Sequence, residues 1–459
     1  MTLDPPADGG RLPSVSVTHT LEARATSLAL RPVVEELRAR PVMHVTEIVA
    51  ALLRVCRAHA AYIDLTKTEP AVHRPLLALD ARLRARFAGW RRPRWPAAQL
   101  VELAGVLERA IADAPAPLCA WQAARWLERR SARHLVGYFA GVDRRVAAGE
   151  PWPIVESPAH CYDLPTGNPA ARGRAADRGE WLTLVPDDTA GVDVHLRWCG
   201  PWLPRVRRGL RIAVAVLART SDDFAIDRLE PDAAPRFYNV RPRAPDYRAR
   251  LEAVIAHAVA ARADLLVLPE LALTDELHAA FVADPRVAAL PLVVAGSRHV
   301  GATGPRPGQN LSTVLARGRV LAEHAKMSDF AFDDGDVRRH EHIRPGTTMH
   351  VLLGERASLL VLVCKDALRE DRQVLVGRLA PRLLVIPAMS PECADFLSFA
   401  DRMARNPQTL TVVANIGEPS VVIGRPSRES PVIVRSKQVG TCYVYVVGGA
   451  PDGVTPDPG

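Results

Sequence analysis

The chain has 459 residues, of which 48% are hydrophobic and 24% charged, and its formal net charge is +8. This composition is typical of a globular protein, and the length predicts two domains rather than one. No run of about 18 apolar residues occurs, and acidic residues interrupt the first 30 positions. We therefore expect no membrane-spanning segment and no secretory signal.

The cysteines indicate the redox environment. Seven are scattered along the chain, and no two of them form a C-x-x-C pair. An odd number at wide spacing argues against a disulfide framework or a zinc site and favours a reducing, cytoplasmic location. The densest group of metal-ligand residues is His340-Glu341-His342, and no third ligand is evident near it. We expect neither a metal nor a cofactor.

The first part of the chain predicts a disordered tail over residues 1–20 and a mainly α-helical domain over 21–150. Apolar residues recur there at helical spacing, and prolines near 70, 93 and 115–117 divide the pattern into four to six helices. The periodic residues include Ile48, Leu52, Leu53, Cys56, Leu100, Leu103, Val106 and Leu107. No chemical motif occurs in this region, so its expected role is structural or in binding a partner.

One local excess of basic residues lies in the helical region. It interleaves aromatic side chains with arginines, namely Arg82, Arg84, Arg86, Phe87, Trp90, Arg91, Arg92, Arg94 and Trp95. Arginines with aromatics can hold single-stranded nucleic acid. The other interpretation is a solvated helix end followed by a turn at Pro93 and Pro96. Because the net charge divides evenly between the two halves of the chain, the second interpretation is favoured.

Residues 151–205 lack periodicity and predict a connector, although their tryptophans suggest that it packs against a domain. From 206 to 450 strand and helix patterns alternate, which predicts an α/β domain, and 451–459 form a second tail. The predicted strands are 211–217, 290–296, 311–315, 319–324, 383–387 and 410–415, with a hairpin turn at 317–318 and a helix over 247–261.

Three short stretches of this domain carry reactive side chains, in the order Glu270, Lys326 and Cys364. The apolar runs 263–268 and 358–363 predict buried strands, so the glutamate and the cysteine would follow strand C-termini, where α/β sheets place their sites. The chain favours arginine and contains four lysines. A retained lysine is significant because arginine cannot replace a compact point charge.

The order and the local contexts resemble the nitrilase (carbon–nitrogen hydrolase) superfamily, whose catalytic triad is Glu-Lys-Cys. The resemblance covers roughly Arg211 to Gly449. It rests on Pro-Glu-Leu at 269–271, Asn310, Lys326, Cys364-Lys365-Asp366, Pro387-Ala388, and Ala414-Asn415 with Gly417. Two features depart from the family pattern: Lys365 stands where an aromatic residue is usual, and Arg369-Glu370 is a reduced form of the following motif.

The resemblance implies a four-layer α-β-β-α sandwich of the nitrilase type, following the helical domain. It also implies that a second glutamate assists the triad, with Glu341 as the candidate and Glu355 as its rival. The residues implied to line the pocket are Asn310, Asp366, Pro387, Ala388 and Met389.

The implied reaction is hydrolysis of a small non-peptide amide, carbamoyl or nitrile compound through a thioester on Cys364. Glu270 would be the general base, while Lys326 and the backbone N–H of Lys365 would stabilise the oxyanion. An amine in place of water would make the protein an N-acyltransferase. A homo-oligomer is expected. The competing hypothesis is an interaction scaffold whose helical domain binds nucleic acid or a protein.

Overall fold

The computed structural model describes residues 28–127, 161–163, 182–184 and 189–448. Short segments are excepted: 60–61, 64–69, 88, 91–93, 190, 201, 219, 230–235, 302–306, 355–356, 392, 406–407, 427–429 and 436–437. The chain divides into two compact units, residues 1–131 with 174–180, and residues 132–173 with 181–459. The predicted tails, 1–20 and 451–459, lie outside the described residues.

Helices dominate the described part of the first unit. They are α1 (Arg31–Ala39), α2 (Val45–Ala58), α3 (Pro70–Phe87) and α4 (Ala97–Asp113), with two short paired strands, β1 (Val42–His44) and β2 (Arg94–Pro96). The periodic apolar residues of α2 and α4 are buried, as amphipathic helices require. Within the described residues, no helix has the length and apolar character to cross a bilayer.

The arginine-rich segment of the first unit contributes its aromatic rings to a core. Phe87 and Trp95 are buried, with ring centroids 5.0 Å apart, so neither ring is open to a nucleic-acid base. Three of the arginines form ion pairs with acidic side chains, namely Arg82 with Asp113, Arg84 with Asp80, and Arg86 with Glu102. These features favour the interpretation of this segment as a solvated helix end followed by a turn over that of a site for single-stranded nucleic acid. Whether the unit binds a partner stays a prediction.

The second unit is built mainly of strands. They are β3 (Cys161–Asp163), β4 (Leu182–Leu184), β5 (Asp193–Gly200), β6 (Arg211–Val216), β7 (Phe224–Leu229), β8 (Arg236–Pro242), β9 (Leu265–Val267), β10 (Leu292–Val294), β11 (Arg298–Val300), β12 (Gln309–Ala316), β13 (Arg319–Ala325), β14 (Ala331–Asp334), β15 (Val337–Glu341), β16 (Thr348–Gly354), β17 (Ala357–Val361), β18 (Leu383–Met389), β19 (Leu410–Ile416), β20 (Val421–Gly424), β21 (Val432–Val434) and β22 (Thr441–Val446). Its helices are α5 (Tyr247–Ala260), α6 (Asp275–Ala283), α7 (Pro285–Ala289), α8 (Glu370–Leu379) and α9 (Ala394–Arg405).

Two large sheets organise these strands. One has the order β11-β12-β10-β9-β6-β22, with β13 paired to β12, and the other has the order β21-β20-β19-β18-β17-β16-β5. Their central strands run parallel: β6, β9 and β10 in the first sheet, and β17, β18 and β19 in the second. The predicted strands and the hairpin at 317–318 are confirmed, as is the helix predicted over 247–261.

The central strands are apolar on both faces because each face packs against another layer. Ile212 and Val214 of β6 pack in the core between the two sheets, whereas Ala213 and Ala215 face a second core with α5 and α6. On the other sheet, α9 packs against β19 and β20. Continuous apolar runs are the expected pattern for strands covered in this way.

The predicted connector contains an unpredicted strand. β5 lies within 151–205 and pairs in parallel with β16 at the edge of the second sheet. Mixed polar and aromatic residues hide the pattern, because an edge strand with one covered face need not be continuously apolar. A smaller sheet, β14-β15-β8-β7, stands apart from the two large ones.

Gly296 lets two loops meet at the end of the first sheet. Its φ is +60°, and a Cβ there would lie 2.0 Å from the carbonyl oxygen of Pro269. No side chain fits such an approach, so this glycine is required where the loop after β10 meets the loop that carries Glu270.

We expect Gly296→Ala to destabilise the protein much more than Gly335→Ala. Gly335 also has a positive φ, of +64°, but a Cβ there meets nothing within 4 Å. Gly335→Ala, the control, should lower the free energy of unfolding by about 1–2 kcal/mol, because alanine is strained in a left-handed backbone conformation. Gly296→Ala should lower it by at least about 2 kcal/mol more, because its Cβ also clashes with Pro269. Urea unfolding of both variants measures the difference. Equal losses would show that the loops do not meet closely.

Candidate active site

Glu270 lies just beyond the C-terminal end of β9, as predicted. Its side chain is buried, and its backbone N–H donates to the carbonyl of Ala388 at 3.4 Å. Leu271 has a φ of +54°, and its N–H donates to the Ser297 hydroxyl at 3.0 Å. The strained turn and these hydrogen bonds aim the carboxylate into the space between the sheets' ends.

Lys326 follows β13 directly and is 2% exposed. Its backbone N–H donates to the carbonyl of Asn310 at 2.8 Å, which continues the hairpin by one residue. Its ammonium donates to Glu270 Oε1 at 2.8 Å and to Glu341 Oε2 at 2.6 Å. A buried ammonium is therefore held between two carboxylates.

Glu341, the last residue of β15, uses both carboxylate oxygens. Oε2 accepts from Lys326 and from the backbone N–H of Phe330 at 3.2 Å, and Oε1 accepts from the Asn310 amide at 2.8 Å. The same amide nitrogen donates to Glu270 Oε1 at 3.0 Å. Asn310 thus holds the two glutamates at a fixed separation. Glu355 lies outside the described residues.

His299 on β11 also holds Glu341, and it was not foreseen from the sequence. Its Nε2 lies 3.0 Å from Glu341 Oε1, and the backbone N–H of Val240 donates to its Nδ1 at 3.2 Å. Because Nδ1 accepts, Nε2 carries the proton and donates to the carboxylate. A single histidine on a three-residue strand gives no sequence signal for this contact.

Cys364 follows β17 by three residues and opens the 3₁₀ turn Cys364–Ala367. Its φ is +47°, a strained value for a residue with a side chain. Glu270 acts to raise the pKa of its thiol, and the backbone N–H of Met389 acts to lower it. The pairing of β17 with β18 ends at Val361, whereas β18 continues to Met389.

The residues beside the cysteine support its turn. Asp366 is fully buried, and both carboxylate oxygens accept from the N–H of Met327 at 3.0 Å. Lys365 directs its ammonium to the carbonyl of Asp329 at 2.8 Å. These contacts join the turn after Lys326 to the turn of Cys364. An oxyanion role for the Lys365 N–H stays a prediction.

The other predicted pocket residues lie on β18. The Ala388 carbonyl accepts from the N–H of Glu270, and the backbone N–H of Met389 acts to lower the pKa of the Cys364 thiol. Pro387 is buried and pairs with Ala414 in the sheet. The His340-Glu341-His342 run does not converge, since His340 contacts Asp329 while Glu341 contacts Lys326. Among the described residues, no group of three His, Cys, Asp or Glu side chains could hold a metal.

Burial and charge set the protonation of the two groups that would exchange a proton. Burial raises the pKa of Glu270, and Glu341 raises it further against the opposing charge of Lys326. Burial also raises the pKa of the Cys364 thiol well above its ordinary value, assisted by Glu270. The thiolate favoured by a neighbouring ammonium is therefore not the resting form. The site holds a neutral thiol next to a carboxylate with enhanced basicity.

Lys326 and Glu341 form the permanently charged pair. Burial acts to lower the pKa of Lys326, but Glu270 and Glu341 outweigh it, and the pKa lies well above the ordinary value. Burial acts to raise the pKa of Glu341, yet Lys326 and His299 outweigh it and lower the pKa to about 2. Burial raises the pKa of Tyr238, and Glu341 raises it further.

Comparisons with known protein families and with curated proteins gave no match. Solved structures that are similar over about half of this chain include an amidase from Nesterenkonia sp., at 17% identity and a TM-score of 0.36, covering 53% of this chain and 91% of that one. A variant of this amidase carries the acetamide moiety of fluoroacetamide on its active-site cysteine (18% identity, TM-score 0.35, 53% and 92% covered). A further structure shows the result of Michael addition of acrylamide at the active-site cysteine of a variant of that amidase. It has 18% identity and a TM-score of 0.36, and the match covers 52% of this chain and 93% of that one. Likeness at this level does not assign the chain to a family.

We expect His299→Leu to destabilise the protein by about 2 kcal/mol more than His299→Gln. Leucine fills the space but leaves the buried Glu341 Oε1 with one donor fewer. A hydrogen bond to a charged group contributes about 2 kcal/mol to the free energy of unfolding. Glutamine offers both a donor for Glu341 and an acceptor for Val240. Urea unfolding at neutral pH measures the two losses. If both variants lose the same stability, the hydrogen bond from His299 contributes nothing.

Proposed function

We propose that the second unit is a carbon–nitrogen hydrolase with the four-layer sandwich of the nitrilase type, and that Glu270, Lys326 and Cys364 are its catalytic residues. The observation that carries the proposal is the buried Lys326 ammonium, held by Glu270 and Glu341 beside a cysteine in a strained turn. A base, a fixed cation and a nucleophile at one point are the requirements of acyl transfer.

The first step is attack of Cys364 on the carbonyl carbon of a small amide. Because the resting sulfur is a thiol, Glu270 takes its proton as the S–C bond forms, and its raised pKa suits a general base near neutral pH. The carbonyl oxygen gains a negative charge. The Lys326 ammonium and the backbone N–H of Lys365 are the donors proposed for that oxyanion.

The second step breaks the C–N bond. Protonated Glu270 gives its proton to the leaving nitrogen, which departs as ammonia or an amine, and the acyl group remains on Cys364 as a thioester. Glu270 then removes a proton from water, whose oxygen attacks the thioester carbon. The products are the free acid and the regenerated thiol, so no redox partner is needed.

Glu341 is proposed as a positioning residue. With a pKa of about 2 it remains a carboxylate throughout the cycle, so the ammonium keeps one fixed counter-charge when Glu270 takes up a proton. Its other contacts, to Asn310, His299 and the N–H of Phe330, prevent it from following the lysine. The lysine therefore keeps its place while the charge on Glu270 changes.

The same thioester would serve an N-acyltransferase if an amine replaced water. A scaffold, by contrast, would form no thioester. A cytoplasmic location, a homo-oligomer and a partner for the first unit are further expectations of this proposal. They do not affect the test of the chemistry.

We expect Cys364→Ala to abolish the thioester while leaving the protein folded. The change removes the nucleophile and little volume, so the free energy of unfolding should change by about 1 kcal/mol. Intact-mass spectrometry after incubation with a panel of short amides and nitriles detects the acyl adduct, and adding an amine separates acyl transfer from hydrolysis.

Cys393→Ala is the matched control for this experiment. Cys393 is also buried, and burial raises its pKa to about 11, but it contacts Asn415 rather than the triad. The control should keep the adduct. If wild type forms no adduct with any compound of the panel, or if the adduct survives in Cys364→Ala, the proposed chemistry is wrong.

We expect Lys326→Arg to be nearly as damaging as Lys326→Ala. A guanidinium is planar and larger than an ammonium and cannot occupy the site between two carboxylates without moving the charge. Losing an oxyanion donor lowers the rate by about 10²–10³-fold. The rate of adduct formation in single-turnover conditions measures the effect. Near wild-type rates in Lys326→Arg would assign the lysine a merely structural role.

A further inference from the structure

A cleft of about 500 Å³ lies in the second unit, at the end of the first large sheet where the parallel strands begin and away from Glu270. Leu210, Asp264 and Pro291 line it, and each immediately precedes one of the parallel strands β6, β9 and β10. Glu270, by contrast, follows the C-terminal end of β9. The cleft is therefore separate from the candidate active site.

The walls of the cleft are strongly basic. Four arginines line it, Arg205, Arg207, Arg208 and Arg317, against the single carboxylate of Asp264. That carboxylate accepts from the backbone N–H of Arg211 at 2.9 Å, which uses one of its oxygens. The cleft thus carries an excess of positive charge.

Three of these arginines have no counter-ion among the described residues. Arg207, Arg208 and Arg317 form no ion pair with any residue in the part of the chain that the structure describes. Some exposed arginines elsewhere in the unit are paired, as in Arg228 with Asp334, Arg241 with Asp227, and Arg286 with Asp284, but these do not share a cleft. Arginines without counter-ions around a common cleft leave donors for an external anion.

The backbone that carries these arginines is held in place. The N–H of Gly209 donates to Val447 at 2.8 Å, and the N–H of Val447 donates to Leu210 at 2.9 Å. The stem of Arg208 packs on Gly448, where a Cβ would lie 3.0 Å from its Cγ. In the turn between β12 and β13, the Arg317 guanidinium lies 5.9 Å from the ring centroid of Trp202. Part of the entropy cost of ordering these side chains is therefore already met.

We propose that this cleft binds a small phosphate-bearing anion. Guanidinium groups form paired hydrogen bonds with phosphate, and its several oxygens can accept from arginines on different walls, whereas a carboxylate offers two. The volume falls in the range of small-molecule sites, about 300–1,000 Å³. Because the arginines are exposed, binding should weaken as the ionic strength rises.

Isothermal titration calorimetry of the full chain with inorganic pyrophosphate tests the proposal by measuring the heat of binding. Wild type should show saturable binding, and Arg207→Gln with Arg208→Gln should weaken it at least about tenfold, since two charged donors are lost. The control is Arg248→Gln with Arg378→Gln, which removes the same charge outside the cleft and should change the affinity less than about twofold.

Three results would overturn the proposal: no saturable binding to wild type, equal weakening in the control, or equally tight binding of citrate. The first two show that the cleft holds no anion of its own, and the third shows recognition of charge without selection for phosphate. None of these variants touches Glu270, Lys326 or Cys364, so the thioester assay is independent of the outcome.

Discussion

The candidate site depends on the burial of one ammonium between two carboxylates. Taking Lys326 out of water is unfavourable unless partners replace its solvation, and removing one partner of a buried pair typically costs about 3–5 kcal/mol. Glu270 comes from one large sheet, and Glu341 from the small sheet β14-β15-β8-β7. The ion cluster therefore fixes how the loops of different sheets meet, and Asn310 and His299 complete its hydrogen bonds.

The same cluster determines how the cysteine can react. Burial and the negative charge of Glu270 raise the pKa of Cys364, so in the proposed mechanism the sulfur becomes nucleophilic only as Glu270 removes its proton. A preformed thiolate would add another buried charge beside two carboxylates. In the proposed mechanism, coupling proton removal to attack avoids that cost.

The two ends of the parallel strands carry different chemistry. At the C-terminal end the charges of Glu270, Lys326 and Glu341 are buried and satisfied by one another. At the N-terminal end the arginines are exposed around an open cleft, which suits reversible and salt-dependent binding. The length of the buried strand β9 separates the two regions, since Asp264 precedes it and Glu270 follows it.

The sequence by itself determined the α/β character of the second unit, because strands covered on both faces must be continuously apolar, and it singled out Glu270, Lys326 and Cys364. Helical periodicity likewise located buried positions of α2 and α4. Only the tertiary structure decided that Glu341 contacts Lys326, that His299 holds Glu341, that β5 joins the second sheet, and that Phe87 and Trp95 are buried. The contact of His299 with Glu341 and the pairing of β5 with β16 join residues far apart in the chain, and no local pattern encodes any of these contacts. The raised pKa of Cys364 was also decided there, since its burial and the neighbouring charges of Glu270 and Lys326 exist only once the sheets have packed.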